Sequence, residues 1–185
     1  FLMNSKNEED LEKIISNAQK IELKPLKMKA KNNKGEIFLS IAFNEVSLMR
    51  QTHQAAKISI KINDIERMNE LICDGVLVST AAGSTAYNLS AHGSIIPLDS
   101  KLLALTPISA FRPRRWRGAL ISEKMKINLY VNDSNIRSSS VTADHNEFRN
   151  IEEVEITSSK DEACNLLFNN HHSMEERILK EQFTQ

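Results

Sequence analysis

The run Asp74-Gly75-Val76-Leu77-Val78-Ser79-Thr80-Ala81-Ala82-Gly83-Ser84-Thr85-Ala86-Tyr87-Asn88-Leu89-Ser90 decides the reading of this chain. Gly75 to Val78 is a short, continuous apolar stretch, which predicts a strand buried on both faces. A loop of small residues follows, and then a helix start. Small residues let backbone approach a ligand closely, and the free N–H groups of a helix start offer donors and positive potential to a phosphate or nucleotide. Ser84 and Thr85 are placed to cap that helix. The competing reading is that Gly83-Ser84-Thr85 only caps a buried helix, since an isolated glycine loop has little specificity.

On either side the pattern is that of strands. Leu26, Met28 and Ala30 alternate with Lys27, Lys29 and Lys31, and Asn32-Asn33-Lys34-Gly35 turns the chain, so a hairpin begins after Pro25. Alternation returns in Ile37-Leu39-Ile41-Phe43, in Ile58-Ile60-Ile62 up to Asn63-Asp64, and in Met125-Ile127-Leu129-Val131. Each predicts a strand with one wet face. Leu102 to Leu105 and Val154 to Ile156 are further short apolar runs. Helices flank this β-rich middle. Ser5-Lys6-Asn7-Glu8 opens one that runs to Ala18, with an apolar stripe that must pack on something, and Ser173-Met174-Glu175-Glu176 opens another, running to Phe183. Asn169 to His172 reads as a polar connection into it. The expected order is helix, two-layer β domain, helix, over residues 1–22, 23–168 and 169–185.

Lys+Arg and Asp+Glu are equal at 24 each, so no overall field draws in nucleic acid or anionic membrane, and anion binding must come from local arrangement. Cys73 and Cys164 have no CxxC or Cys/His spacing, which leaves neither a disulfide framework nor a zinc site and suits a reducing cytoplasm. No apolar run reaches membrane-helix length. The abrupt opening on Phe1-Leu2-Met3 predicts a fragment of a longer protein.

The long string from Asp74 through Ser90 resembles the signature strand-loop-helix of NAD kinases, which transfer the ATP γ-phosphate to the adenosine ribose 2′-hydroxyl of NAD. The resemblance extends to Phe43-Asn44-Glu45-Val46-Ser47-Leu48, similar to the family's Asn-Glu motif, and to Leu105-Thr106-Pro107-Ile108-Ser109 and Arg112-Pro113-Arg114-Arg115-Trp116-Arg117-Gly118-Ala119-Leu120. Together these cover nearly the whole chain. The Pro-Arg-Arg-Trp-Arg version, with Glu175-Glu176-Arg177-Ile178-Leu179, is similar to alphaproteobacterial members. The fold implied is a mainly β, two-layer sandwich-like C-terminal domain, with a remnant helix of an α/β domain before it and a helical tail after it.

The resemblance implies a substrate wall for NAD built from Asn44, Glu45, Asp74, Ala82, Thr85, Ala86, Tyr87, Asn88, Ser90 and His145. Asn44 and Glu45 would contact the adenosine, the carboxylate accepting from ribose hydroxyls. Read on its own, Asn-Glu fits a β-turn or strand end. Asp74 would face the base or amide beside Tyr87, whose ring and hydroxyl both suit a ligand. Ala81-Ala82 departs from the family's Pro and hydroxyl residue, which removes one side-chain donor and leaves the backbone N–H groups. Asp144-His145 resembles a pair near the nicotinamide, against the plainer reading of a structural or solvated histidine. Arg112, Arg114, Arg115 and Arg117 around Trp116 fit a subunit interface or a dinucleotide phosphate better than nucleic acid.

The family's Gly-Gly-Asp-Gly motif, which carries its proposed catalytic base, has no counterpart among the five glycines here. The resemblance therefore implies no catalytic residue in this chain, no metal ligand, and ATP with a divalent metal (Mg) only in the complete enzyme. It further implies NAD or NADP as ligand, homo-oligomerisation, a cytoplasmic setting, and possible pairing with a separately encoded N-terminal half. The rival reading is a non-catalytic NAD(P)-binding or assembly module from a split or truncated gene. A wider lipid-kinase relationship fits the Asp74 to Ser90 match less well.

Overall fold

A computed structural model of the protein describes residues 10–168 and residue 183. The first elements in the chain are α1 (Leu11–Asn17), β1 (Gln19–Leu23), β2 (Leu26–Asn32), β3 (Ile37–Ala42), β4 (Glu45–Arg50), β5 (Ala56–Ile62), β6 (Ile65–Cys73) and β7 (Gly75–Ser79). A 3₁₀ turn, Ala82–Thr85, leads into the one-turn helix α2 (Tyr87–Ser90). Then come β8 (Leu102–Ile108), β9 (Ala119–Ser122), β10 (Ile127–Val131), β11 (Ser139–Ala143), β12 (Asn146–Phe148), β13 (Ile151–Ser158) and β14 (Cys164–Phe168).

These strands form two six-stranded sheets, ordered β3-β2-β13-β10-β5-β6 and β12-β11-β4-β7-β8-β9, with β1 and β14 as a separate ribbon. The strand alternation explains the layers, because successive side chains point to opposite faces. Leu26, Met28, Ile58, Ile60, Ile127, Leu129 and Ile156 from one sheet meet Val46, Leu48, Val76, Val78, Leu103, Leu105 and Val141 from the other in one buried core. The mainly β, two-layer architecture expected from the sequence is the one observed.

The apolar run in β7 also has a reason. Val76 and Val78 enter the core between the sheets, while Leu77 on the opposite face is equally buried. Its cross-strand partner is Thr106, whose hydroxyl donates to Asn88 Oδ1 at 2.7 Å. The segment carrying α2 thus covers the outer face of β7 and β8. Leu77 gains about 2 kcal/mol from that cover.

Two expectations read differently in the structure. β3 forms as predicted, but Ile37, Leu39 and Ile41 are its exposed side chains, at 57%, 74% and 43%. The inward set is Phe38, Ser40 and Ala42, with Phe38 stacked on Phe148 at 4.9 Å. Facing strand β2 presents lysines to the same outer side, so the packing choice follows Leu26, Met28 and Ala30 and not the larger aliphatics of β3. In α1 the N-cap is Asp10, which accepts from the Glu12 N–H, and none of its residues is buried: of the stripe expected to pack, Leu11 and Ile15 are exposed and Ile14 is only partly covered. β1 pairs with β14 over Gln19–Leu23, across the expected boundary at residue 22. Ser5 to Glu8, the Asn169 to His172 connection and the helix from Ser173 lie outside the described residues, apart from the helical position Phe183.

Candidate functional site

Three segments distant in sequence meet at one end of the second sheet. β4 begins with Glu45 paired to Ser79 at the end of β7, so the Phe43-Asn44-Glu45 corner lies beside the Thr80 loop. The contact is tight. Thr80 N–H donates to the Asn44 carbonyl at 2.9 Å, and Thr80 Oγ1 donates to the Phe43 carbonyl at 2.6 Å while accepting the Gly83 N–H at 3.0 Å. Gly83 lies so close that a Cβ there would overlap the Asn44 backbone. That close approach explains a residue without a side chain at this position.

The third segment is the two-residue turn Asp144-His145 between β11 and β12, where Ala143 pairs with Asn146. Asp144 has φ of 50°, a left-handed conformation that Asp tolerates. Its carboxylate accepts the backbone N–H groups of Phe43 at 2.7 Å, Asn44 at 2.9 Å and Glu45 at 3.2 Å. One anion thus fixes three consecutive donors. His145 is exposed in the same turn.

Glu45 Oε2 is buried with no hydrogen-bond partner. Burial, and then the Asp144 charge, raise the Glu45 carboxyl above its ordinary value. A buried acceptor without a donor is costly, which marks this oxygen as waiting for one. Asn44 is exposed beside it. The corner therefore offers a carboxylate and an amide to a hydroxyl-rich ligand.

The signature loop spends most of its polar groups internally. Gly83 N–H goes to Thr80, Ser84 N–H to the Ala81 carbonyl at 3.3 Å and Ala86 N–H to the Gly83 carbonyl at 2.9 Å. Ser84 does not cap: its hydroxyl donates to the Ala81 carbonyl at 2.7 Å and accepts the Ile96 N–H at 3.0 Å, and neither short helical element has a side-chain cap. The N–H groups of Gly83, Ser84 and Ala86 are thus engaged within the loop. Asn88, expected in the ligand wall, is fully buried. Its Nδ2 donates to the Ser84 and Ser94 carbonyls, both at 3.0 Å, and its Oδ1 accepts from Thr106. Such a side chain is occupied in holding the loop. Ala82 faces another way, into a cleft of about 370 Å³ between β1 and the Leu98 to Leu103 segment, and Ser100 Oγ in that cleft is buried without a partner. Thr85 and Ala86 are partly buried and Ser90 is exposed on α2.

Asp74 and Tyr87 belong to the far end of the same strands. Asp74 Oδ1 accepts from Arg50 Nε at 2.5 Å, and Arg50 also donates to the Thr52 carbonyl. Tyr87 Oη is 3.9 Å from Met49 Sδ, and Met49 pairs with Gly75, the residue after Asp74. The structure brings Asn44, Glu45 and His145 together, and separately Asp74 and Tyr87. β4 from Glu45 to Arg50 separates the two groups by about 17 Å at ~3.4 Å per residue.

Asp144 as organiser, Thr80 as stitch and Arg50 as partner of Asp74 escaped the sequence reading. Only the polar Asp144-His145 pair between two strands hinted at the first. Among the described residues no three His, Cys, Asp or Glu side chains converge to hold a metal ion. Both cysteines are free, and burial pushes the Cys73 thiol up to about 12. No described helix is long and apolar enough to cross a membrane.

A family model for the ATP-NAD kinase C-terminal domain matches residues 43–166, which includes the Asn44 corner, the signature loop and the Asp144 turn. An NAD kinase of Rickettsia canadensis is 50% identical over 183 residues, covering 99% of this chain and 72% of its own length. One from Rickettsia bellii is 50% identical over 186 residues, with the same coverage. Both relatives are consistent with the C-terminal portion of an alphaproteobacterial-like NAD kinase. Among solved structures, yeast NADH kinase complexed with NADH superposes with a TM-score of 0.80 at 21% identity, over 92% of this chain and 50% of that one. An NAD kinase from Archaeoglobus fulgidus in complex with ATP gives 0.69 at 21% identity, over 82% of this chain and 56% of that one. The chain thus spans about half of each solved relative, and at that identity the likeness is one of fold.

Proposed function

This chain belongs to the NAD kinase family, and on that premise we propose that residues 23–168 form the NAD-binding wall for transfer of the ATP γ-phosphate to the adenosine ribose 2′-hydroxyl of NAD. The observation that carries this reading is the buried, unpartnered Oε2 of Glu45 beside the exposed Asn44. A ribose hydroxyl supplies the missing donor. Asn44 adds an amide that both donates and accepts, and His145 borders the same corner. Asp74 and Tyr87 take the other end of the dinucleotide, with Thr85, Ala86 and Ser90 lining the loop between, and Ala82 turned to the adjoining cleft. NADH bound to the yeast relative supports a nicotinamide dinucleotide as the ligand class.

Phosphoryl transfer depends mostly on positioning and charge stabilisation around the phosphates. The 185 residues contain no Gly-Gly pair. We assign this chain the substrate-positioning part, with the catalytic base on a Gly-Gly-Asp-Gly segment supplied alongside it. Calorimetry with NAD and NADP, followed by a kinase assay of the chain with and without such a segment, tests both halves. The expected result is dinucleotide binding in both cases and turnover only with the added segment. Turnover by the chain alone overturns the second half, and lack of dinucleotide binding overturns the first. Binding without turnover even after addition favours the rival, a non-catalytic dinucleotide-binding module.

A further inference from the structure

The edge of the sandwich formed by β6 and β9 is open. β5 and β6 lose register twice, where Ile58 pairs with Leu71, Ile60 with Met68 and Lys61 with Glu66. Extra residues on β6 bend an edge strand away from its neighbour. Between the sheets this leaves a cavity of about 280 Å³, reaching core residues Ile60 and Leu105, walled by Met68 and Ile121 and bordered by Trp116. Leu120, also in its lining, is 51% exposed.

The one charged side chain in the lining of this cavity is basic. Arg67 lines it and has no ion-pair or hydrogen-bond partner among the described residues. Trp116 sits within Arg114-Arg115-Trp116-Arg117, and none of those guanidinium groups has a carboxylate partner among the described residues either. The cavity is at the small end of ligand sites, with room for roughly nine water- or methylene-sized groups. An apolar chamber of that size with an unpaired arginine at its border suits a short aliphatic chain ending in an anion.

We propose that this cavity binds a medium-chain aliphatic carboxylate, with the chain between the sheets and the carboxylate on Arg67. It lies at the edge opposite β12 and away from the Asn44 corner, so it stands or falls independently of the dinucleotide reading.

Trp116 is the only tryptophan in the sequence, which makes its fluorescence a direct reporter. Octanoate is titrated into the full protein below its micellar range, with octanol and acetate as comparison ligands and calorimetry alongside. Octanoate is expected to shift Trp116 emission saturably and to bind at least tenfold more tightly than octanol, while acetate gives no response. Arg67→Gln should remove the preference for octanoate over octanol without weakening octanol. Ala119→Phe, at an exposed lining position, should fill the cavity and abolish both responses while NAD binding, read by calorimetry, is unchanged. No saturable emission change and no heat with octanoate overturns the site. Equal binding of octanoate and octanol, indifferent to Arg67, overturns the assignment of an anion.

Discussion

Asp144 Oδ1 accepts the backbone N–H of Asn44 at 2.9 Å across 100 positions of sequence. The same carboxylate takes the N–H groups of Phe43 and Glu45, so the corner that carries Asn44 is shaped by an anion on another hairpin. Asp144→Ala leaves three donors without their acceptor and is expected to cost about 1–3 kcal/mol. For a chain of this size that is a fall in Tm of about 2–4 °C per kcal/mol. NAD affinity should drop about tenfold by calorimetry, with Asp144→Asn intermediate because it keeps an acceptor oxygen. Unchanged affinity in Asp144→Ala would detach this turn from the ligand site.

Glu45 couples stability and binding with opposite signs. Its pKa is raised from 4.5 by burial and then by the Asp144 charge, so the folded protein holds this proton more tightly than the unfolded chain. The resulting stability is fully present below the unfolded value and is lost as pH rises through the raised folded value. Glu45→Gln, which cannot ionise, should therefore raise Tm at pH 7, and the gain should vanish on acidification through that window. NAD affinity should behave the other way. It rises with pH in the native protein as the carboxylate forms, and is weak and flat with pH in Glu45→Gln. Thermal scans and calorimetry from pH 4 to 8 check both; a Tm gain with undiminished affinity argues against a ligand hydroxyl on Glu45.

The strands legible in the sequence are those with an uninterrupted period of two, such as β2, β5 and β10, and those that are a short continuous apolar run, such as β7. β4 was hidden because Ser47 and Met49 are covered on its second face as Val46 and Leu48 are on the first, so polarity does not alternate with exposure. β6 was hidden by its register shifts and polar edge position. The residue types of the site were legible in Asn44-Glu45 and the Asp74 to Ser90 run. Their grouping was not, because the hydrogen bonds from the Asn44 N–H to Asp144 and from the Thr106 hydroxyl to Asn88 join residues whose spacing in sequence has no period.

Asn88 separates a role in folding from one in binding. Its amide is fully buried and engaged by Ser84, Ser94 and Thr106. Asn88→Ala strands buried partners and should lower stability by about 2–4 kcal/mol, the sum of more than one lost bond. The fraction that stays folded should bind NAD with an affinity within about threefold of the native protein, less than half a factor-of-ten step of ~1.4 kcal/mol. A loss of affinity at full folding, read by calorimetry at low temperature, would return Asn88 to the ligand wall.

Gly83 tests the stitch between the signature loop and the Asn44 corner. A methyl group there overlaps the Asn44 backbone, and backbone cannot step aside as a flexible side chain can. Gly83→Ala is expected to cost about 1–3 kcal/mol as overpacking and to displace Asn44 and Glu45 together. NAD affinity should fall at least as far as in Glu45→Gln. A stable Gly83→Ala protein with native affinity would mean that the loop and the corner act separately.

The placement of Asp74 and Glu45 at opposite ends of β4 and β7 makes a quantitative demand on the dinucleotide reading. Asp74 is tied to Arg50 at 2.5 Å, with side-chain exposures of 38% and 33%, so the pair is wet enough that Asp74→Ala should change stability by under about 1 kcal/mol. Any larger effect on NAD affinity must then come from the ligand. Side chains separated by more than about 10 Å without shared partners contribute additively. If one NAD molecule reaches both ends, Asp74→Ala and Glu45→Gln should each weaken it, and the double variant should weaken it by the product of the two factors. Calorimetry on the four proteins measures this directly. A double variant no weaker than the worse single one would show that the two carboxylates do not act on the same bound molecule independently, and would remove Asp74 from the proposed wall.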